Sequence, residues 1–125
     1  ETRVGTSSVF VADRPAADGG EAFARQGAKV GFTGRNAEAA AKVVAESKAV
    51  GPEALFIRSD AADVPALRAA IAQTAERFGD IGVLVNNVAN DERHDIADVT
   101  EADFDGRVAV NLRPHCLACR MKMRF

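Results

Sequence analysis

The sequence predicts a three-layer α/β sandwich, with a parallel sheet in the order 3-2-1-4 and helices on both faces. Short apolar runs alternate with helix-period segments, the pattern of strand–helix–strand units. Right-handed crossovers put the first two helices on one face. Once strand 4 returns to the far side of strand 1, the later two land on the other. The 125 residues, 47% hydrophobic and 27% charged, suit one core and carry no repeat or linker, so residues 1–125 are read as a single domain. The same order leaves strand 4 at an edge although it is as apolar as a central strand, and such an edge is expected to pair with something.

Each element has its own local reason. Ser8-Val9-Phe10-Val11-Ala12 is an apolar run of strand length. After the punctuated stretch Asp13, Pro15, Gly19 and Gly20, residues Glu21 to Gln26 read as a short helix that Gly27 stops. Lys29 to Thr33 is the second strand. Asn36 caps a helix from Ala37 to about Val50, which Gly51-Pro52 ends. Ala54 to Ile57 is the third strand. Asp63 caps the next helix, where Pro65 is tolerated because first-turn N–H groups have no helical partner. Leu67, Ile71, Ala75 and Phe78 keep its apolar spacing up to Gly79. Ile81 to Val85 is the fourth strand, followed by an acidic loop with Asp91, Glu92, Asp95 and Asp98. Thr100 and Asp103 form a capping-box pattern. It opens a long helix with Phe104, Val108, Leu112, Cys116 and Cys119 on one face, which Pro114 is expected to kink near Val110.

Composition narrows the function classes. Sixteen Lys and Arg against eighteen Asp and Glu give a formal charge of -2, too balanced for an electrostatic nucleic-acid binder. No apolar run approaches the roughly 18–20 residues that span a bilayer, and Glu1 to Ser8 lack signal-peptide order. Two Cys three positions apart build no disulfide framework, so a cytoplasmic location is expected. The Cys116-Leu117-Ala118-Cys119 motif lies late in the expected long helix, on its apolar stripe, so both Cys are read as buried small hydrophobes rather than a redox pair. With His115 they still lack a fourth zinc ligand. The acidic loop matches no calcium-binding pattern.

Five segments in order, from about Glu21 to Cys119, resemble the N-terminal half of a short-chain dehydrogenase/reductase. Ala22-Phe23-Ala24-Arg25-Gln26-Gly27-Ala28-Lys29-Val30 resembles the family's first helix running into its second strand. Thr33-Gly34-Arg35-Asn36 resembles the turn that follows, and Asp60 falls where the family has an Asp after strand 3. Asp80 to Ala89 resembles strand 4 with its Asn-Asn-Ala-Gly motif, and Val110-Asn111-Leu112 the Asn of the long helix. The resemblance implies a Rossmann-like fold and a nicotinamide dinucleotide. Arg35, next to Gly34 where NAD-preferring relatives carry an acid, implies NADP(H). It further places Asp60 near the adenine, Asn86 beside the cofactor, Gly20 in the phosphate turn and Asn111 in the catalytic set. From the residues alone, Arg35 could instead be solvated, Asp60 a turn former, Asn86 and Asn87 loop ties, and Asn111 structural.

Two departures bear on activity. The family's Thr-Gly-x-x-x-Gly-x-Gly lets backbone approach a pyrophosphate. Ungapped alignment puts Phe10, Arg14 and Ala16 at the three glycines, whereas a four-residue deletion puts Arg14, Asp18 and Gly20 there. The family's general acid/base is a Tyr with a Lys four residues later, and this sequence contains no Tyr. By resemblance the chain is a truncated or incomplete NADP(H)-dependent oxidoreductase acting on a small carbonyl or alcohol, homo-oligomeric and without nucleic-acid or membrane partners. The 125 residues alone are expected to be inactive. The alternative is an inactive module that self-associates through strand 4 and the long C-terminal helix.

Overall fold

The structure is a computed structural model that describes residues 8–12 and 22–124. Four parallel strands, β1 (Ser8–Ala12), β2 (Lys29–Gly34), β3 (Leu55–Arg58) and β4 (Ile81–Asn86), form one sheet in the order β3-β2-β1-β4. Residues 22–25 make one helical turn. The longer helices are α1 (Ala37–Val50), α2 (Val64–Phe78), α3 (Glu101–Asn111) and α4 (Arg113–Lys122).

Side-chain alternation along the strands builds two cores, one on each face of the sheet. Val30 and Phe32 of β2 turn toward α1, where they pack with Ala28, Ala40, Val43 and Ala54. There Phe32 meets Phe56 at 5.3 Å between ring centres, tilted by 45°. On the other face Phe10, fully buried, joins Leu67, Ala70 and Ile71 of α2 and Ala118 and Met121 of α4. Phe10 pairs in register with Gly31, and Thr74 of α2 lies directly over that glycine. A Cβ on Gly31 would run into the Thr74 side chain, so the missing side chain sets how closely α2 approaches the sheet. Thr74, itself buried, turns its hydroxyl back onto the Ala70 carbonyl at 2.9 Å.

The caps read from the sequence form as hydrogen bonds. Asn36 and Asp63 accept from the Ala39 and Ala66 N–H groups, each at 3.0 Å. Gly27 and Gly79 end their helical segments at φ 82° and 85°, where a side chain would be strained. Ser47 closes the α1–β3 connection: its hydroxyl donates to the Val44 carbonyl (2.8 Å) and accepts from the Ala54 N–H (3.0 Å).

Three expectations are corrected at the C-terminal end. The long helix does not kink near Val110 but breaks at Leu112 (φ -122°, ψ -57°), and Pro114 lies in the first turn of α4, where its missing N–H costs no helical bond. Asn111 is therefore the last residue of α3 rather than mid-helix. The break also changes the helical phase. Pro114, Ala118 and Met121 turn inward, while Cys116, Cys119, Phe104 (63% exposed) and Leu112 (62%) face outward. The Cys are therefore not buried hydrophobes, and they stand fourth and seventh in α4 rather than late in a helix. The ungapped glycine alignment also fails: Phe10 is a core residue inside β1, not part of a phosphate turn. The alternative positions Arg14, Asp18 and Gly20 lie outside the described residues. Among the described residues no helix is long and apolar enough to cross a membrane.

Candidate functional site

Because all four strands run parallel, their C-terminal ends share one rim. The order β3-β2-β1-β4 makes β1 the point from which connections leave in opposite directions. In such sheets the crevice beside that switch point, here between β1 and β4, is where ligands bind. Asn86 closes β4 there, in register with Ala12 of β1. Its Nδ2 donates to the His115 carbonyl and to Cys119 Sγ, both at 3.5 Å. Its Oδ1 is buried and accepts from no group among the described residues. A buried acceptor left unpaired costs about 1–3 kcal/mol. Asn86 thus carries a buried, unpaired acceptor beside the switch point.

Arg35 follows β2 on the same rim, exposed and in no ion pair among the described residues, just before the α1 cap. Asp60 stands past β3, exposed, with Oδ1 accepting from the Ala62 N–H at 2.9 Å. That is the turn-forming bond, and it leaves Oδ2 as the carboxylate's other acceptor. Gly20 falls outside the described residues. The rim therefore carries Arg35, Asp60 and Asn86 at the ends of three strands, with Arg35 and Asp60 open to solvent.

Asn111 is bound in a different way. Its Oδ1 accepts from the Asn90 N–H at 2.6 Å and its Nδ2 donates to the Asn90 carbonyl at 2.9 Å. Both polar ends of the side chain are thus used to hold the loop after β4. Arg107, one turn earlier in α3, donates to the same carbonyl at 3.0 Å and to Asn90 Oδ1 at 2.5 Å, and its other nitrogen lies 3.5 Å from Glu92. His115 Nε2 stands 2.8 Å from the Val88 carbonyl, which only accepts, so that nitrogen carries the proton. Three side chains from α3 and α4 thus staple residues 88–92 to the helices. Asn90 and Arg107 were not among the residues singled out from sequence. The four-residue spacing of Arg107 and Asn111, which puts both on one helix face, is the signal that points to them. The start of α3 is fixed separately: Thr100 and Asp103 exchange the capping-box bonds, and these bonds from Thr100 hold the Asp103 carboxyl below its ordinary 3.8.

A family model described as short chain dehydrogenase matches residues 18–125. A probable galactose dehydrogenase of Rhizobium meliloti is 40% identical over 104 residues, covering 80% of this chain and 40% of that protein. D-xylose 1-dehydrogenase of Caulobacter vibrioides is 42% identical over 97 residues, covering 78% and 37%. The crystal structure of a dehydrogenase/reductase from Sinorhizobium meliloti superposes with a TM-score of 0.91 at 34% identity, over 97% of this chain and 50% of that one. A short-chain dehydrogenase/reductase of Serratia marcescens superposes with a TM-score of 0.89 at 28% identity, over 98% and 52%. The chain spans about 40% of the length of these curated relatives and about half of the solved ones. With the rim, the sheet order and these matches in agreement, the chain belongs to the short-chain dehydrogenase/reductase family, of which it carries the N-terminal portion.

Proposed function

We propose that these 125 residues form one partial domain, the cofactor-binding portion of an NADP(H)-dependent oxidoreductase that acts on a small alcohol or carbonyl, a sugar in particular. The observation that carries this reading is the unpaired buried acceptor of Asn86 beside the β1–β4 switch point, where a bound molecule would have to reach it. The names of the relatives, a galactose and a xylose dehydrogenase, support the substrate class. A bound nicotinamide nucleotide would supply or take up the hydride. Asn86 would accept from its hydroxyl groups, Asp60 would lie near the adenine, and Gly20 would belong to the phosphate turn. Arg35 would meet the 2′-phosphate, since a planar cation without a neighbouring acid favours phosphate over a free hydroxyl. Asn111, through its hold on Asn90, would keep the loop beside the reacting centre in place. The sequence holds no Tyr, so the proton donor of the reaction lies outside these residues, which by themselves transfer no hydride.

Titration of the chain with NADPH and NADH, followed by backbone amide shifts, tests this. The expected result is weak binding, because Arg14 and Asp18 occupy two of the glycine positions, with shifts at residues 20, 33–36, 60 and 86. NADPH should bind about tenfold more tightly than NADH, a difference that Arg35→Ala abolishes. Shifts confined to residues away from this rim, or none at millimolar nucleotide, overturn the cofactor assignment. Equal affinity for the two nucleotides overturns the role of Arg35. A second reading has an observation in its favour: among the described residues β4 pairs only with β1, and Phe104 of α3 and Leu112 at the α3–α4 break stand exposed. This is a non-enzymatic module that self-associates through β4 and those helices. A concentration-independent monomer in sedimentation would remove it.

A further inference from the structure

We propose that Cys116 and Cys119 close a reversible disulfide within α4, and that its formation is felt at Asn86 on the rim. Both thiols are free and exposed. They occupy the fourth and seventh positions of α4, three apart, and so lie on one face of the helix. In a regular helix two Cα atoms at this spacing are about 5 Å apart, inside the roughly 4.4–6.8 Å that a disulfide bridges. Their Cβ atoms, at about 5–6 Å, must close by about 1–2 Å. That movement is available in a short helix whose first turn has no side-chain cap and contains Pro114. The strain and exposure together describe a bond that is readily reduced, suited to switching rather than to holding the fold.

The link to the rim is direct. Cys119 Sγ accepts from Asn86 Nδ2 at 3.5 Å. Turning Cys119 toward Cys116 withdraws that acceptor and leaves the Asn86 amide with the His115 carbonyl alone, its Oδ1 being already unpaired. Oxidised glutathione supplies the oxidant. One cysteine thiolate attacks a glutathione sulfur and releases the first glutathione thiolate. The second cysteine thiolate then attacks the mixed disulfide and releases the other. The two protein thiols lose two electrons and two protons, and the glutathione disulfide becomes two thiols.

The test uses the full chain with oxidised glutathione, read by intact mass and by the Asn86 side-chain amide in nitrogen-15 spectra. The expected product is a monomer lighter by two hydrogen atoms, reversed by dithiothreitol, with the Asn86 amide pair displaced. Cys116→Ser, at an exposed position, should stop at one glutathione adduct and never lose two hydrogens. Two adducts per chain, a covalent dimer, or no change in mass overturns the disulfide. A closed disulfide that leaves the Asn86 amide unmoved overturns the coupling. None of these readouts requires a nucleotide, so failure here is separate from failure of the cofactor assignment.

Discussion

Gly31→Ala sets two effects of opposite sign against each other. Removing a glycine from a strand interior ordinarily stabilises by about 0.4–1 kcal/mol, because the unfolded chain loses freedom. Here the added Cβ would collide with Oγ1, Cγ2 and Cβ of Thr74, which is buried and tied to the Ala70 carbonyl at 2.9 Å and so cannot swing away. Overpacking of this kind costs about 1–3 kcal/mol. The collision wins, and Gly31→Ala should be less stable by about 1 kcal/mol, lowering the melting temperature by roughly 3–6 °C. Thr74→Ala removes Oγ1 and Cγ2, the two atoms in hardest conflict. In that background the same Gly31→Ala change should be neutral or stabilising. Denaturant titration of the wild type, both single variants and the double variant gives the coupling between the two sites. If Gly31→Ala costs the same with and without the Thr74 side chain, the argument that Thr74 seats α2 on Gly31 is wrong.

The loop staple, the cap and the α1–β3 junction make separate predictions. Asn111→Ala removes two hydrogen bonds to Asn90, and hydrogen exchange in residues 88–92 should rise about tenfold while the strands keep their protection. The Asp103 carboxyl is held below 3.8 in the folded chain, so its contribution is complete above that pH. It is lost as the pH falls through the lower folded value, and circular dichroism should show an acid-induced loss of α3 helicity that Thr100→Ala reduces. Ser47→Ala strips the Ala54 N–H of its acceptor and should cost about 1–3 kcal/mol in chemical denaturation. An unchanged midpoint would mean that water replaces the hydroxyl there.

Strand and helix positions, the caps at Asn36, Asp63 and Thr100, and the stops at Gly27 and Gly79 were legible from local sequence. Each depends on a few adjacent residues and on the period of the apolar pattern. That Thr33, Asp60 and Asn86 share one rim is legible for the same reason, since a parallel sheet gathers the residues at the C-terminal ends of its strands. Three things could not be read this way. The face presented by Cys116 and Cys119 depends on a one-residue break at Leu112, and a periodic pattern run through that break assigns the wrong side. The use of both ends of the Asn111 side chain on Asn90, 21 residues away, depends on how the β4 loop folds back over α3. The unpaired Oδ1 of Asn86 emerges only when every neighbouring donor has a position. Local periodicity fixes elements, but the partner of a polar side chain is chosen by distant backbone brought close, and that choice is made in three dimensions.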